Sequence, residues 1–163
     1  MPIDLPSHHV AVALFAPQIA PNVGNIGRTC VASGTSLHLI RPFGFALNDA
    51  KLRRAGLDYW QRLDVTIHDD ANSFLESMKN RRLWFFDSIG TTSIWDARFE
   101  DGDVLCLGSE TRGIDPEILS RNSSSVLRIP QATGERCLNL STSAGIGLYE
   151  ALRQIGVNRA SPP

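Results

Sequence analysis

Short apolar segments recur along the chain and are separated by longer stretches of mixed polarity. Most of them are apolar at nearly every position, which is typical of strands buried on both faces of a parallel sheet. A more polar segment of similar length, "VTIH", is included as a strand. The segments predict strands at Val10–Phe15, Leu37–Ile40, Val65–His68, Leu83–Phe86, Val104–Leu107 and Val126–Ile129.

Between these segments, apolar residues recur at the spacing of amphipathic helices. The first helix is predicted to run from a cap at Asn22 or Asn25 to Ser33, and to end at Gly34. Further helices are predicted over 48–57, over 70–80 with an acidic cap, over 115–121 with Pro116 in the first turn, and over 140–155. The alternation of strands and helices indicates the α/β class, with a mainly parallel sheet flanked by helices.

Length and composition are those of one ordinary domain. The 163 residues are 42% hydrophobic and contain neither a signal sequence nor an apolar run long enough to cross a membrane. Cys30, Cys106 and Cys137 are far apart, and the four histidines lack ligand spacing, so neither a disulfide framework nor a metal site is expected. We expect a cytoplasmic protein without a metal ion, with one domain over 1–163 and a frayed tail at 155–163.

The basic residues are uneven in kind and in position, although the net charge is only −1. Lys51 and Lys79 are the only lysines among 16 basic residues; the others are arginine, whose planar fork suits phosphate or carboxylate groups. A coding bias toward arginine explains this composition equally well. A cluster of charges is usually a solvated face of the protein. In the cluster "KLRRAGLDYWQR", however, Tyr59 and Trp60 are interleaved with the charges, and this favours contact with RNA.

Three loops rich in polar residues or glycine follow predicted strands. They are "APQIAPNVGNIGR" after Phe15, "GSETRGI" after Leu107 and "PQATGERCLNLS" after Ile129. Ligands of open parallel sheets bind beyond the carboxyl ends of the strands, so these loops form one site if the strand order brings them together. The first loop does not match the GxGxxG spacing of dinucleotide-binding proteins, and no acidic ribose-binding residue follows as that fingerprint requires.

The ordered set "NVGNIGR", "LGSETRGI" and "RIPQ…RCLNLSTSAGIGLYEALRQ" resembles the signature motifs of the SPOUT class of RNA ribose 2′-O-methyltransferases. The intervening "RPFGFALNDAKLRRAGLDYW" is similar to the subfamily that methylates the wobble cytidine or uridine of tRNA. The resemblance extends from about Val10 to Gln154. It implies S-adenosylmethionine-dependent 2′-O-methylation of the wobble ribose in the anticodon loop, with S-adenosylhomocysteine as product. The alternatives are another tRNA or rRNA position, or a non-catalytic RNA-binding protein with the same fold.

The resemblance also implies features that patterning cannot show. Members of the class tie the C-terminal part of the domain in a deep trefoil knot, work as homodimers and build the active site at the subunit contact. The implied cofactor pocket draws on Phe86, Asp87, Gly108, Glu110, Ile129, Cys137, Leu138 and Asn139. Members commonly have serine at the position of Cys137, and a backbone contact would survive that difference.

The position of Arg28 resembles that of the family's catalytic arginine. A ribose hydroxyl is a poor nucleophile at neutral pH and needs a base or a positive charge that favours its alkoxide. Arginine stays protonated, so it cannot be the base, but its fork can stabilise an oxyanion and hold the neighbouring phosphate. We therefore expect Arg28 to orient the target phosphate and promote ribose deprotonation; the alternative is an exposed arginine in the first turn of a helix.

Glu110, Asn139 and Ser141 complete the candidate catalytic set. Glu110 either contributes to the pocket or pairs with Arg112 in its loop, whereas Asn139 and Ser141 stand where a cap would open the last helix. A capping role is compatible with a contact to cofactor or substrate. The candidate RNA contacts are Arg28, Lys51, Arg53, Arg54 and Arg136.

Gly145 and Gly147 interrupt the last predicted helix at positions where relatives more often have alanine or valine. Each glycine in a helix interior costs up to ~1 kcal/mol relative to alanine. A close approach of another element would explain why they are present. We therefore predict a tight contact at these glycines, within the knot or across a dimer.

Overall fold

Seven strands form the centre of the computed structural model, which describes residues 5–47 and 57–160. The strands are β1 (Ala11–Phe15), β2 (Ser36–Ile40), β3 (Val65–His68), β4 (Leu83–Phe86), β5 (Thr92–Ser93), β6 (Val104–Leu107) and β7 (Val126–Arg128). The helices are α1 (Ala20–Ser33), α2 (Leu57–Trp60), α3 (Ala71–Ser77), α4 (Pro116–Arg121) and α5 (Leu140–Ala160), with a 3₁₀ turn at Ser123–Ser125. The six predicted strands are confirmed within a residue or so at each end. The short polar strand β5 was missed because it has no apolar run.

The strand order is β3-β2-β1-β6-β4-β7-β5, and every neighbouring pair is parallel. The predicted α/β class with a mainly parallel sheet is therefore confirmed. In this order β1, β6, β4 and β7 are consecutive neighbours. Because parallel strands end at the same edge of a sheet, the loops that follow these four strands leave the sheet side by side.

Alternate residues of the strands supply two apolar cores, one on each face of the sheet. On one face, Val12 and Leu105 pack in the cluster that includes the inner sides of α1 and α5. On the other face, Phe85 and Cys106 pack with Phe74 of α3 and with apolar residues of α4. Burial raises the pKa of the Cys106 thiol far above its ordinary range, so this thiol remains protonated and acts as a small apolar side chain.

The start of α1 differs from its prediction. The helix begins at Ala20, after Ile19, with Pro21 in its first turn, so neither Asn22 nor Asn25 is its cap. Proline lacks the amide hydrogen that the first turn leaves unpaired, and it therefore fits there. No side chain at the cap position accepts a hydrogen bond from the helix. The C-terminal end is as predicted, because Gly34 closes the helix in a left-handed conformation with φ of 71°.

The later helices confirm most of the predicted ends. Asp70 caps α3 by accepting a hydrogen bond from the amide of Ser73 at 2.7 Å, and Pro116 lies in the first turn of α4. Helix α5 continues to Ala160, five residues beyond its predicted end at residue 155, and the frayed tail at 155–163 stays a prediction. The apolar periodicity fades after Ile155, so the pattern carried no signal for this extension. The predicted helix over 48–57 lies almost wholly outside the described residues.

The part of the chain that the structure describes contains neither a candidate membrane span nor a candidate metal cluster. None of the helices in residues 5–47 and 57–160 is both long enough and apolar enough to span a membrane. In the same part of the chain, no three His, Cys, Asp or Glu side chains are grouped so that they could hold a metal ion.

Candidate active site

A cavity of about 510 Å³ opens at the carboxyl edge of the sheet. It is formed by the start of α1 and by the segments that follow β4, β6 and β7, so the three predicted loops do converge. The lining residues are Ile19, Asn22, Phe86, Asp87, Ser88, Leu107, Gly108, Ser109, Glu110, Thr111, Arg112, Gly113, Leu127, Arg128, Ile129, Gln131, Cys137, Leu138, Asn139, Leu140 and Ser143. All eight residues predicted for the cofactor pocket are in this set.

The Glu110 carboxylate ties the loop after β6 to the start of α1. It accepts hydrogen bonds from the amides of Gln18 at 2.8 Å and Ile19 at 3.1 Å, and from the side-chain amide of Asn22 at 3.1 Å. A carboxylate at a helix N-terminus pairs with orphan amides and interacts favourably with the helix dipole. Glu110 thus supplies the cap that α1 lacks in its own sequence, instead of forming the alternative pair with Arg112.

Asn139 joins the third loop to the same network. Its Nδ2 donates to Oδ1 of Asn22 at 3.0 Å, while its Oδ1 accepts from the amide of Ser141 at 2.9 Å and from the Ser141 hydroxyl at 2.6 Å. The predicted capping role of Asn139 at the start of α5 is therefore present. Ser141 is not among the residues that line the cavity. Through Glu110, Asn22 and Asn139, the three motif loops form one continuous hydrogen-bonded chain.

Two glycines shape the loop after β6. The amide of Ser109 donates to the carbonyl of Gly113 at 3.1 Å, and the amide of Gly113 donates back to Ser109 at 3.0 Å. A Cβ on Gly108 would lie 2.0 Å from the carbonyl carbon of Gly113, so no larger residue fits. Gly113 itself has φ of 67°, which favours glycine. At Gly108 the space that a Cβ would need is therefore occupied by the backbone of its own loop.

Charged residues line the cavity beside its apolar walls. Asp87 accepts a hydrogen bond from the amide of Ile89 at 3.1 Å, which fixes the turn after β4. Arg112 and Arg128 also line the cavity and were not among the predicted site residues. Arg112 lies in the motif "LGSETRGI", and Arg128 is the first residue of the motif that begins "RIPQ". Their place in these motifs could have identified both arginines as candidate site residues.

The five residues predicted to contact RNA lie outside the cavity lining or outside the described residues. Arg28 is exposed on α1, six residues after Asn22, which corresponds to about 9 Å along the helix axis. It does not line the cavity of its own chain. Arg136 is exposed on the third loop, next to Cys137. Lys51, Arg53 and Arg54 fall outside the described residues, as part of 48–56.

The segment that follows these three basic residues is seated on α1. The Tyr59 hydroxyl donates a hydrogen bond to the carbonyl of Gly24. A Cβ on Gly27 would lie 3.1 Å from both the Trp60 ring and the Leu63 side chain, so α2 and the residues after it approach α1 closely at this glycine. Helix α1 therefore carries Arg28 at an exposed position. At its buried positions Gly24 and Gly27 it contacts Tyr59 and Trp60, which lie at the end of the basic cluster.

The glycines of α5 have different surroundings. A Cβ on Gly147 would lie 2.7 Å from Cε1 and Cζ of Phe86, a residue that lines the cavity. The predicted tight contact is confirmed for this glycine, and it lies within the chain. Around Gly145 there is nothing within 4 Å of the corresponding position. Its neighbours Ile146 and Tyr149 are large apolar residues that are 39% and 47% exposed.

Comparison with known proteins agrees with this geometry. A model of the SpoU rRNA methylase family matches residues 9–149. A tRNA (cytidine(34)-2′-O)-methyltransferase of Saccharophagus degradans is 44% identical over 146 residues, which cover 89% of this chain and 95% of that protein. A solved structure from work on 2-OH methylation of C/U34 on tRNA has a TM-score of 0.86 and 44% identity, covering 90% of this chain and 96% of that one.

A more distant solved structure shares the fold. It is the SpoU methyltransferase AviRb of Streptomyces viridochromogenes in complex with the cofactor AdoMet, with a TM-score of 0.82 and 22% identity, covering 99% of this chain and 61% of that one. The family match covers most of the chain, and the similarity of the Saccharophagus protein extends over nearly the full length of both proteins. As its three motifs predicted, the chain belongs to the SpoU methylase family.

Proposed function

We propose that this protein transfers a methyl group from S-adenosylmethionine to the ribose 2′ hydroxyl of nucleotide 34, the wobble cytidine or uridine of tRNA. The observation that carries the proposal is the 44% identity, along nearly the whole length of both chains, to a tRNA (cytidine(34)-2′-O)-methyltransferase. The convergence of the three motif loops around one cavity supports it. The protein is therefore an RNA-modifying enzyme, and we place it in the cytoplasm because its substrate is tRNA.

The size and lining of the cavity support binding of S-adenosylmethionine. Its volume is typical of sites for small organic ligands. Phe86, Leu107 and Leu138 provide apolar surface for an adenine ring, while Asp87 provides a charge for the polar parts of the molecule. When bound, S-adenosylmethionine supplies a methyl group already activated by its positive sulfonium. The task that remains for the protein is to hold the donor and to position a ribose hydroxyl against it.

We assign the catalytic role to Arg28 and a positioning role to Glu110. A guanidinium has only donors, and it therefore favours the alkoxide of the ribose and can hold an adjacent phosphate. The Glu110 carboxylate accepts three hydrogen bonds from the start of α1, which fixes the helix that carries Arg28. Asn139 and Ser141 act in the same way, because they order the third loop against Asn22 and cap α5.

Replacement of Arg28 tests the catalytic assignment. We expect Arg28→Ala to reduce methyl transfer to tRNA by roughly 100-fold or more, the loss typical of removing one oxyanion-stabilising donor. Affinity for S-adenosylmethionine should stay within about twofold of the unaltered protein, because Arg28 does not line the cavity of its own chain. Arg121→Ala is the control, since it removes another exposed arginine, at the C-terminal end of α4, that does not line the cavity. Near-normal transfer by Arg28→Ala would remove Arg28 from the mechanism.

The same assay establishes the position on the RNA. Labelled S-adenosylmethionine is incubated with the protein and total tRNA, and the methylated nucleotide is mapped. We expect one 2′-O-methyl group at nucleotide 34. Methyl on a base, on another nucleotide, or on no RNA would overturn the proposal.

We further propose that Lys51, Arg53, Arg54 and Arg136 contact the tRNA backbone. Arg136 supports this role because it is exposed on the third motif loop, beside residues that line the cavity. Phosphate contacts release counterions, so affinity for tRNA should fall steeply as salt rises, and each contact removed should reduce the slope by about one. An unchanged salt slope in a variant with all four residues replaced by alanine would contradict this role.

We also propose that the active protein is a homodimer with the active site at the subunit contact. The supporting observations are the distance of Arg28 from the cavity of its own chain, the exposed apolar residues Ile146 and Tyr149, and the open space above Gly145. Sedimentation velocity should give twice the mass of the chain. A monomer with full activity would exclude the shared site.

Finally, we propose that the C-terminal part of the chain forms the deep trefoil knot of the class. Membership of the family supports the proposal, and so does the position of β7, which lies between β4 and β5 although it follows both in sequence. An experimental structure provides the test. A chain path in which residues after β7 do not pass through the preceding loop would exclude the knot.

A further inference from the structure

Trp95 is the most exposed large apolar residue among those described, with 71% of its surface accessible. Its backbone is nevertheless held firmly. Its amide donates to Oγ of Ser93 at 3.1 Å, and the amide of the preceding residue donates to the carbonyl of Arg128 at 3.0 Å. Ile94 and Ala97, on either side, are buried in the core. The backbone that carries the indole is therefore part of the ordered fold, and the indole itself faces solvent.

The position of Trp95 relates it to the cavity. It follows β5, the last strand of the sheet, which pairs with β7 so that Ser93 lies opposite Arg128. Both strands run in the same direction, so Trp95 leaves the sheet at the carboxyl edge, the edge where the motif loops lie. Arg128 and Ile129 of the neighbouring strand line the cavity. Trp95 is therefore one strand away from the residues that surround the proposed donor site.

We propose that Trp95 is a stacking site for an unpaired base of the substrate RNA, at a nucleotide that flanks the methylated one, with Arg128 contacting the intervening phosphate. The inference deepens the proposed function and depends on it. Bases of single-stranded RNA stack on aromatic side chains irrespective of their identity, because each has a π-face. Arginine suits the phosphate between two such nucleotides, since its fork matches two phosphate oxygens.

Loss of the indole should affect RNA and not the donor. We expect Trp95→Ala to raise the KM for an anticodon stem-loop RNA about tenfold, a typical loss for one stacked base, while the KM for S-adenosylmethionine is unchanged. Trp95→Tyr keeps an aromatic ring and should recover most of the affinity. Ile67→Ala is the matched control, because Ile67 is an exposed apolar residue, 43% accessible, on β3 at the opposite edge of the sheet.

Fluorescence gives a second readout that does not depend on turnover. The chain has three tryptophans, and Trp95 is the most exposed; Trp84 packs against Phe99, and Trp60 packs against Gly27. Stacking of a base on Trp95 should quench emission when RNA is added. The quenching should disappear in Trp95→Phe, a variant that keeps an aromatic ring and therefore RNA binding. Quenching that persists in Trp95→Phe would overturn the proposal.

Substitutions in the RNA identify the stacked base. With an abasic nucleotide at position 33 or 35, on either side of the target, the difference between the unaltered protein and Trp95→Ala should vanish for one of the two. Equal KM values for both proteins on every RNA would overturn the inference, whereas failure of the unaltered protein to methylate RNA would overturn the proposed function itself. Dissociation of Trp95→Ala into monomers would assign the indole to a second copy of the chain instead.

Discussion

Gly145 and Gly147 have the same residue type and lie in the same helix, yet an added methyl group would meet different surroundings. At Gly147 it would overlap the buried ring of Phe86, whereas at Gly145 it would meet nothing in its own chain. We expect Gly147→Ala to lower the free energy of unfolding by about 1–3 kcal/mol, because the ring must leave its place in a packed core. It should also weaken binding of S-adenosylmethionine, since Phe86 lines the cavity.

Gly145→Ala is the matched variant, and its expected effect has the opposite sign. Alanine has the higher helix propensity, so the fold should gain up to ~1 kcal/mol, measured by denaturant unfolding of dilute protein. If the partner subunit approaches α5 here, the variant will dissociate more readily while keeping its fold. Equal destabilisation by the two substitutions would contradict the difference in their surroundings.

At the residue scale, the sequence predicted which segments form the site but not how they are connected. Phe86, Gly108 and Ile129 could be placed because each lies at or just after the end of an apolar strand, a local pattern. The contact of Glu110 with Gln18 could not be predicted, because it joins residues 92 positions apart. Such a contact depends on the strand order, and no local periodicity encodes that order.

Two neighbouring strands carry a buried histidine pair that makes stability depend on pH. Nδ1 of His38 on β2 and Nε2 of His68 on β3 share a hydrogen bond of 3.0 Å, and both rings contact Phe74. The pKa of His38 is lowered to about 4, and burial is the largest cause. The charges of His68 and Arg81 lower this pKa further, whereas the charge of Asp64 raises it. Burial also lowers the pKa of His68.

The sign of the pH effect follows from these pKa values. Between about pH 6.5 and pH 4 the unfolded chain binds a proton at His38 that the folded chain does not, so stability falls as pH falls through this window. The loss is at most about 3 kcal/mol for a shift of this size, because the remaining solvent around the pair screens the charge. Denaturant unfolding at pH 7, 5.5 and 4.5 measures it. His38→Gln, which does not titrate, should flatten the dependence, and an unchanged slope in that variant would contradict the assignment to His38.

At the element scale, long apolar strands were predictable and the ends of helices were less so. β1 and β6 are apolar throughout because neighbouring strands and helices cover them on every side. The start of α1 was misplaced because the group that caps it, Glu110, belongs to another loop. β5 has two residues and owes its existence to β7, so its own sequence carried no signal.

The arrangement of whole subunits can be tested by mixing two inactive variants. Arg28→Ala lacks the proposed catalytic arginine, and Leu138→Trp should block the cavity that Leu138 lines. If Arg28 acts on the donor bound in the partner subunit, subunit exchange should restore about a quarter of normal activity, because half the dimers are mixed and each mixed dimer has one intact site. If Arg28 acts within its own chain, the mixture should remain inactive.

At the scale of the whole molecule, the parallel sheet followed from the alternation of strands and helices, but its order did not. In one half of the sheet, strands β1, β2 and β3 lie side by side in their sequence order. In the other half the spatial order is β6, β4, β7 and β5, which differs from the sequence order. Interleaving of this kind arises from long-range pairing that no window of sequence records. For the same reason, a knot and a dimer can be proposed only from resemblance to a family.

The seating of Trp60 and Leu63 against Gly27 has a consequence for how the protein can vary. One helix bears the arginine proposed for chemistry and, at positions 24 and 27 beside it, contacts the end of the segment proposed to grip the tRNA backbone. A side chain introduced at position 27 would meet the side chains of Trp60 and Leu63 at 3.1 Å, so that contact must shift at a position directly next to the arginine. Substrate selection and turnover therefore cannot be tuned separately at this position, and directed evolution toward a different RNA should find its useful changes elsewhere.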